Sequence, residues 1–431
     1  MIQSFGISQK QIREWAKELG FVKRGSAKFD PTAFLAVFCL KSQVASPSYN
    51  DLAAKIEATY GISMSKQALW KRVNDFCVLF FQAILARMIK HKFSEQQIDV
   101  ISKANNYKRI LVQDSTIIKV PKKLFEAFSG VSNGHSTTSN TRIQSVYELI
   151  SGRFIDFSID SYSKNDLLSA PELHLGKDDL VLRDRGYCSF KEIERHVSCG
   201  ADFINRHKMS FIYLNPESGQ PIDLMKLLRK NKRIDMVVCL NNKERTQIRL
   251  LAERSSDQIA NKRRRKAKSE IKGHYPSKEM LELMGYTIFI TTIMDTKVDL
   301  DQISKIYSLR WKIEIIFKIW KSHLSFDKVH NVSYNQLWVL LLARFIMILM
   351  YTHLMYIPYF HEVSNYCGRY LSMMKFITYI INNQEKITSL LSALNNRSNK
   401  NKLLDTIVKY TAYDKRKRIN IIELQALVCL S

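Results

Sequence analysis

RILVQDSTIIKV, residues 109–120, is an apolar, β-branched run with a single carboxylate in its middle, and it marks where a helical chain becomes an α/β one. Residues of this kind at this density read as a central strand. A carboxylate inside a buried strand is normally paired, protonated or bound to metal, so Asp114 is a candidate site residue. Downstream, a polar loop rich in Gly, Ser and Asn is expected at 129–140. Strands at 143–150 and 153–159, joined by Ser151-Gly152, then make a β-hairpin. After a helix, Leu180-Val181-Leu182 is a short buried strand, and Asp184 follows it in RDRGY. Open α/β sheets place their ligand sites at such carboxyl ends of strands. A helix at 190–197 and a strand beginning at 202–206 come next.

Upstream, residues 1–105 read as helical. Within them, 49–73 (YNDLAAKIEATYGISMSKQALWKRV) has the outline of a helix-turn-helix: a first helix stopping at Tyr60-Gly61, and a second capped by Ser63 or Ser65. Lys66, Gln67, Lys71 and Arg72 would then project toward DNA. A helical hairpin with a basic surface fits the same residues. Further along, 209–276 is basic and partly strand-like, with 234–240 and 246–251 as its best strands and KRRRKAK at 262–268, including Arg263, Arg264 and Arg265, as its most basic point. An apolar strand at 286–293 follows.

The stretch 306–324, IYSLRWKIEIIFKIWKSHL, carries Tyr307, Arg310, Glu314 and Lys321. At about 100° per residue these four fall within an arc of roughly 60° on one helix, opposite Leu309, Ile313, Ile316 and Trp320. Glu314 is thereby a third candidate acid, although pairing with Arg310 four residues earlier would also account for it.

Composition narrows the function. With 66 Lys and Arg against 40 Asp and Glu, the formal charge is +26, which calls for a polyanionic partner. The N-terminal residues hold no apolar signal core, which favours nucleic acid over a membrane. The run 337–357 is long enough to suggest a membrane span, but Arg344 and His353 interrupt it and a buried core helix is expected. Seven scattered cysteines with no Cys-x-x-Cys pair indicate a reducing cytoplasm and no structural zinc. No Gly-x-x-x-x-Gly-Lys-Ser/Thr loop is present, which argues against an ATP-driven motor.

The register Tyr307, Arg310, Glu314, Lys321 resembles the signature helix of bacterial insertion-sequence transposases with an Asp-Asp-Glu site, those grouped with insertion sequence four. Asp184 in Asp-Arg-Gly-Tyr resembles the same family's second motif. The resemblance covers roughly 110–349. It implies an α/β fold: a ribonuclease H-like catalytic core at 106–208 and 285–360, with the signature helix at 304–324, interrupted by a β-rich basic insertion at 209–284. A helical DNA-binding region at 1–105 and a helical region at 361–431, with a basic patch at 415–418, flank it. It further implies a magnesium pair, with manganese as substitute, held by Asp114, Asp184 and Glu314, while Tyr307, Arg310 and Lys321 grip terminal phosphates. Trp311 is usual beside that face. Tyr286 stands where the family can place an aromatic residue to hold a flipped base, although the usual residue is tryptophan. The implied activity is cut-and-paste transposition in the cytoplasm at the nucleoid, on double-stranded DNA as terminal inverted repeats and target, by a homodimer in the DNA-bound complex. A DNA-binding relative without catalysis, and a metal-dependent nuclease that does not join strands, are the alternatives.

Overall fold

The computed structural model describes residues 5–25, 28–42, 47–91, 107–133, 136–270, 275–383, 387, 390–391 and 400–413. Side-chain oxygens start the N-terminal helices. Ser8, Asp30, Ser48, Ser65 and Asn74 each accept a backbone N–H at the head of α1 (Gln9–Glu18), α2 (Pro31–Lys41), α3 (Tyr49–Tyr60), α4 (Lys66–Arg72) and α5 (Asp75–Lys90). Each such cap stabilises its helix by about 1 kcal/mol. α3 ends at Gly61, whose φ of 67° lies in the left-handed region that a β-carbon disfavours. Of the two serines that could cap the second helix, Ser65 does so.

The chain forms two compact units. One contains these helices, Ser115–Pro171 and the described residues from Lys312 to Tyr413. Its strands are β2 (Ser129–Asn133), β3 (Ser136–Glu148) and β4 (Arg153–Ser161), antiparallel in that order. The expected loop at 129–140 is therefore part of a ladder. Backbone pairing does not require apolar side chains, and Gly130 permits a close approach: a β-carbon there would lie 2.5 Å from the Thr138 carbonyl oxygen. The turn after β3 does fall at Ser151-Gly152, with Gly152 at φ 69°. A four-residue helix, α6 (Asp166–Ser169), follows β4.

The other unit contains the start of β1 (Arg109–Val120), up to Asp114, together with Glu172–Trp311. β1 runs parallel to β5 (Asp179–Arg183), and β5 parallel to β6 (Asp202–Arg206), with α7 (Phe190–Cys199) between them in sequence. The sheet then continues antiparallel through β10 (Tyr286–Thr291), β9 (Gln247–Arg254), β8 (Arg233–Leu240) and β7 (Tyr213–Leu214). The strands of the 209–284 region thus extend the β1-β5-β6 sheet instead of folding apart from it. The reason is apolar: Val238, Leu240, Ile248 and Leu250 share one core with Phe203, Ile288 and Ile290. Burying each such side chain contributes about 1.5–3 kcal/mol. Three helices lie in the same region, α8 (Leu224–Lys230), α9 (Asp257–Glu270) and α10 (Lys278–Leu283), and KRRRKAK is on α9.

The signature stretch is two helices, α11 (Leu300–Ser308) and α12 (Trp311–His323). Leu309 and Arg310 donate their N–H groups to carbonyls three residues back, at 3.0 and 3.1 Å, and this tightened turn ends α11. Tyr307 and Arg310 consequently precede the helix that carries Glu314 and Lys321, so the four do not share one helical face. Beyond α12, α13 (Tyr334–Leu349) passes through a π-helical segment at Met350–Tyr356 into α14 (Ile357–Cys367). This run is apolar and long enough to cross a membrane, but 89% of its most apolar window is buried. Arg344 within it donates to the carbonyls of Ser42, Phe326 and Lys328, as an interior helix requires. α15 (Met373–Asn382) and a helix at Lys400–Thr411 follow; the basic patch at 415–418 lies outside the described residues.

Candidate active site

The β1–β5 register places Gln113 opposite Arg183, so the residues that follow are Asp114, still within β1, and Asp184, the first residue past β5. Neighbouring strands lie about 4.8 Å apart, and residues in register point to the same face. Asp114 thus stands within β1 one residue past the last paired position, and Asp184 stands just beyond the carboxyl end of the neighbouring β5. Asp184 is exposed at the head of the short turn Arg185–Tyr187. Asp114 is mostly buried, and its Oδ2 accepts a hydrogen bond from Arg310 Nη1 at 3.0 Å.

Arg310 reaches Asp114 because the turn after α11 aims it there, between two rings: its Cζ is 5.8 Å from the centroid of Tyr307 and 5.7 Å from that of Trp311. Tyr307 is buried edge-on to Phe289, with centroids 5.2 Å apart. Burial raises its pKa and Asp184 adds to this, while Arg310 and Arg206 oppose it, so the hydroxyl stays protonated. Arg206, at the end of β6, lies 4.4 Å over Phe289. Burial brings its pKa down to about 10, and the neighbouring arginines push the same way, which still leaves it charged at neutral pH.

Asp184, Arg206, Tyr307, Arg310 and Trp311 border a cavity of about 330 Å³ that Arg185, Arg263 and Tyr286 also line. Four guanidinium groups around one opening give it a positive potential that suits an anion. Tyr286 is half-buried in its wall, at the start of β10. Trp311 is 56% exposed. Arg206 and Arg185 escaped the sequence reading; the only signal was an arginine closing an apolar strand and another inside RDRGY.

The remaining expected residues divide into held and exposed. Lys321 donates to the carbonyl of Ile117 at 3.0 Å, and burial lowers its pKa. Arg263 donates to Ser255, Thr287 and the Tyr286 carbonyl, and Arg264 to Asn261 and the Leu281 carbonyl, so both tie α9 to its surroundings. Arg265 is exposed. On α4, Lys66, Gln67 and Lys71 are exposed, whereas Arg72 turns inward, its Cζ 3.9 Å over the Phe29 ring, because that position faces the core of the helical region. Arg72 does not project outward with the other three.

Glu314 lies in the first turn of α12. Among the described residues, no three His, Cys, Asp or Glu side chains are grouped closely enough to hold one ion. Asp114 within β1 and Asp184 just past β5 nonetheless present hard oxygen donors on adjacent strands, which suits magnesium or manganese chemically. An ion at Asp114 Oδ2 would compete with Arg310 for the same lone pairs.

Residues 106–350 match the family described as Transposase DDE domain. The chain is 28% identical to the transposase for insertion sequence element IS231E of Bacillus thuringiensis subsp. finitimus, over 95% of both proteins. It is 30% identical to the transposase for insertion sequence element IS231B of Bacillus thuringiensis subsp. berliner, over 76% of this chain and 73% of that one. Among solved structures, the synaptic complex of piggyBac transposase with hairpin DNA aligns with 96% of this chain and 84% of that one, at 12% identity and a TM-score of 0.42, a likeness too weak to define a shared fold.

Proposed function

The chain belongs to the transposases with a DDE domain, and from that premise we propose that it moves its own insertion sequence by a cut-and-paste route. It binds the terminal inverted repeats, cleaves the ends by metal-dependent hydrolysis and joins the freed 3′ ends to target DNA. The observation that carries this reading is Asp184, just past the end of β5 beside the strand that holds Asp114, on the rim of an arginine-lined cavity. The parallel order β1-β5-β6 with α7 between β5 and β6 is the part of the sheet that we read as a ribonuclease H-like core.

In cleavage, water attacks the phosphorus and the 3′ oxygen leaves; in joining, that 3′ oxygen attacks a target phosphodiester and the target's own 3′ oxygen leaves. Both steps depend on positioning and on neutralising phosphate charge. Asp114, Asp184 and Glu314 are the residues that would hold magnesium, or manganese in its place, which supplies that charge and makes a bound water more acidic. Arg310 would trade the Asp114 carboxylate for a phosphate, since its fork suits either. Arg206 and Arg185 add charge on the same cavity, and the protonated Tyr307 hydroxyl serves as a donor. Tyr286 is an aromatic group in the cavity wall that would hold a base turned out of the duplex. Trp311 and Lys321 flank the same DNA ends, while Lys66, Gln67, Lys71 and Arg265 are exposed contacts for the flanking duplex. Joining two ends requires two active sites, hence a homodimer on DNA, acting in the cytoplasm at the nucleoid.

The test is an end-cleavage and joining assay with magnesium and DNA spanning the edge of the flanking repeats. Specific cuts and joined products that disappear with Glu314→Gln, while end binding is kept, would support the reading. Cuts without joining would leave a nuclease, and binding without cuts a DNA-binding relative.

A further inference from the structure

We infer that Trp70 is a specificity-determining residue for the element's DNA, inserted into the major groove from the outer face of α4. The inference rests on the DNA-binding reading above and adds a residue that reading does not contain. α4 has two distinct sides. At about 100° per residue, Ala68, Arg72 and Leu69 fall on one side, and Lys66, Trp70, Gln67 and Lys71 on the other. Leu69 is fully buried and Arg72 packs over Phe29. The other four side chains are exposed, and Trp70 keeps 56% of its surface in water.

The indole therefore sits between Lys66 and Gln67 in angle, on a helix that follows α3 after the turn starting at Gly61. Little else on that face is apolar. A partner must offer negative charge to the two lysines, donors or acceptors to Gln67, and an apolar or π surface to Trp70. The duplex major groove offers all three: flanking phosphates, base edges and the thymine methyl. The chain's net charge of +26 favours the same partner. Lysines on phosphates bind every sequence alike, whereas an indole against thymine methyls distinguishes sequences. The division of labour on this face is thus affinity from Lys66 and Lys71, and discrimination from Trp70 with Gln67.

The experiment measures binding of the full chain to two duplexes, one spanning the edge of the element's flanking repeat and one of scrambled sequence with the same composition, across a salt series. Trp70→Ala should lower the preference for the repeat about tenfold, with the salt slope unchanged, and Trp70→Phe should retain most of it. Lys66→Ala and Lys71→Ala should weaken both duplexes equally, each reducing the slope by about 0.9. If the wild type prefers the repeat and Trp70→Ala keeps the full preference, or weakens both duplexes alike, the assignment of Trp70 is overturned. A change in oligomeric state with DNA preference intact would give the face to a protein partner and overturn it equally. If the wild type binds neither duplex, the DNA-binding reading itself fails.

Discussion

Arg249 and Arg310 are both buried arginines of the same unit, and they are used in opposite ways. Arg249, on β9, donates Nε and Nη2 to the two oxygens of Asp235, each at 2.6 Å, and Nη1 to the carbonyls of Ile293, Asp295 and Val298. Its partners are fixed, and they fasten the loop that leads from β10 into α11. Arg310 gives Nη1 to one carboxylate at 3.0 Å and stands on the wall of a cavity lined by three further arginines. Packing a charge cluster around an opening has an electrostatic cost, since like charges repel, and an anionic ligand offsets it. Arg249 fastens a loop, whereas Arg310 faces an opening among other cations, where an anion would be met.

The comparison is broken most directly at the carboxylates. Asp184→Asn should cut end cleavage by a thousandfold or more, on the order of 4 kcal/mol, while unfolding is unchanged because Asp184 is exposed. A variant that retained cleavage would move the chemistry away from Asp184. Next comes Arg249→Ala, which should lower stability by about 3 kcal/mol by leaving Asp235 and three carbonyls without their donor. Thermal unfolding measures this; an unchanged melting temperature would show that full pairing is no mark of scaffold.

Histidines sharpen the same contrast by pH. Burial lowers His196 and His207 to about 4, with Arg185 adding to the effect on His207, which shares a 2.7 Å hydrogen bond with the Tyr213 hydroxyl. An imidazole depressed in the folded state contributes stability that is present above the unfolded pKa of 6.5 and lost as pH falls toward the folded value. Each should therefore reduce stability by about 1.4 kcal/mol per pH unit between 6.5 and 4. Because His207 lines the cavity, occupation of the cavity by DNA phosphate should raise its pKa and flatten its share, whereas the share of His196 should stay. Chemical shifts of the two rings in a titration with and without DNA would separate them; equal behaviour would sink the contrast.

The parts of the fold that could be read from sequence were those with a local physical cause. β1, β5, β8, β9 and β10 announce themselves as apolar, β-branched runs, and α3 and α4 by their caps. Asp114 stood out because a carboxylate inside such a run needs a partner, and Asp184 because it ends one. The break between α11 and α12 was invisible, because Leu309 and Arg310 are ordinary helix formers and only tertiary contacts such as Arg310 to Asp114 accompany the turn. The pairing of 129–133 with β3 was missed for a related reason: Ser, Gly and Asn carry turn propensity, yet the backbone ladder does not depend on them. Arg72 reads as a DNA contact from its place in the helix-turn-helix outline and Arg263 from its basic run, and their burial is decided by which way each helix faces. Arg206 went unnoticed because one arginine at a strand end is unremarkable until four of them line one opening.

The smallest expected effect tests what kind of group the cavity needs. Arg310→Lys preserves the positive charge opposite Asp114 but loses the planar fork that can span two phosphate oxygens. If the cavity uses charge alone, binding of element ends should be unaltered. If it uses the fork, binding should weaken about fivefold, near 1 kcal/mol, with stability changed by less than the Arg249→Ala loss. The scaffold position should respond differently to the same exchange. Arg249→Lys removes donors from fixed partners, so its loss should appear in unfolding and not in DNA affinity. Were Arg310→Lys to unfold the protein while leaving end binding intact, Arg310 would join Arg249 in the scaffold, and Arg206 and Arg185 would remain as the arginines left to meet the phosphate.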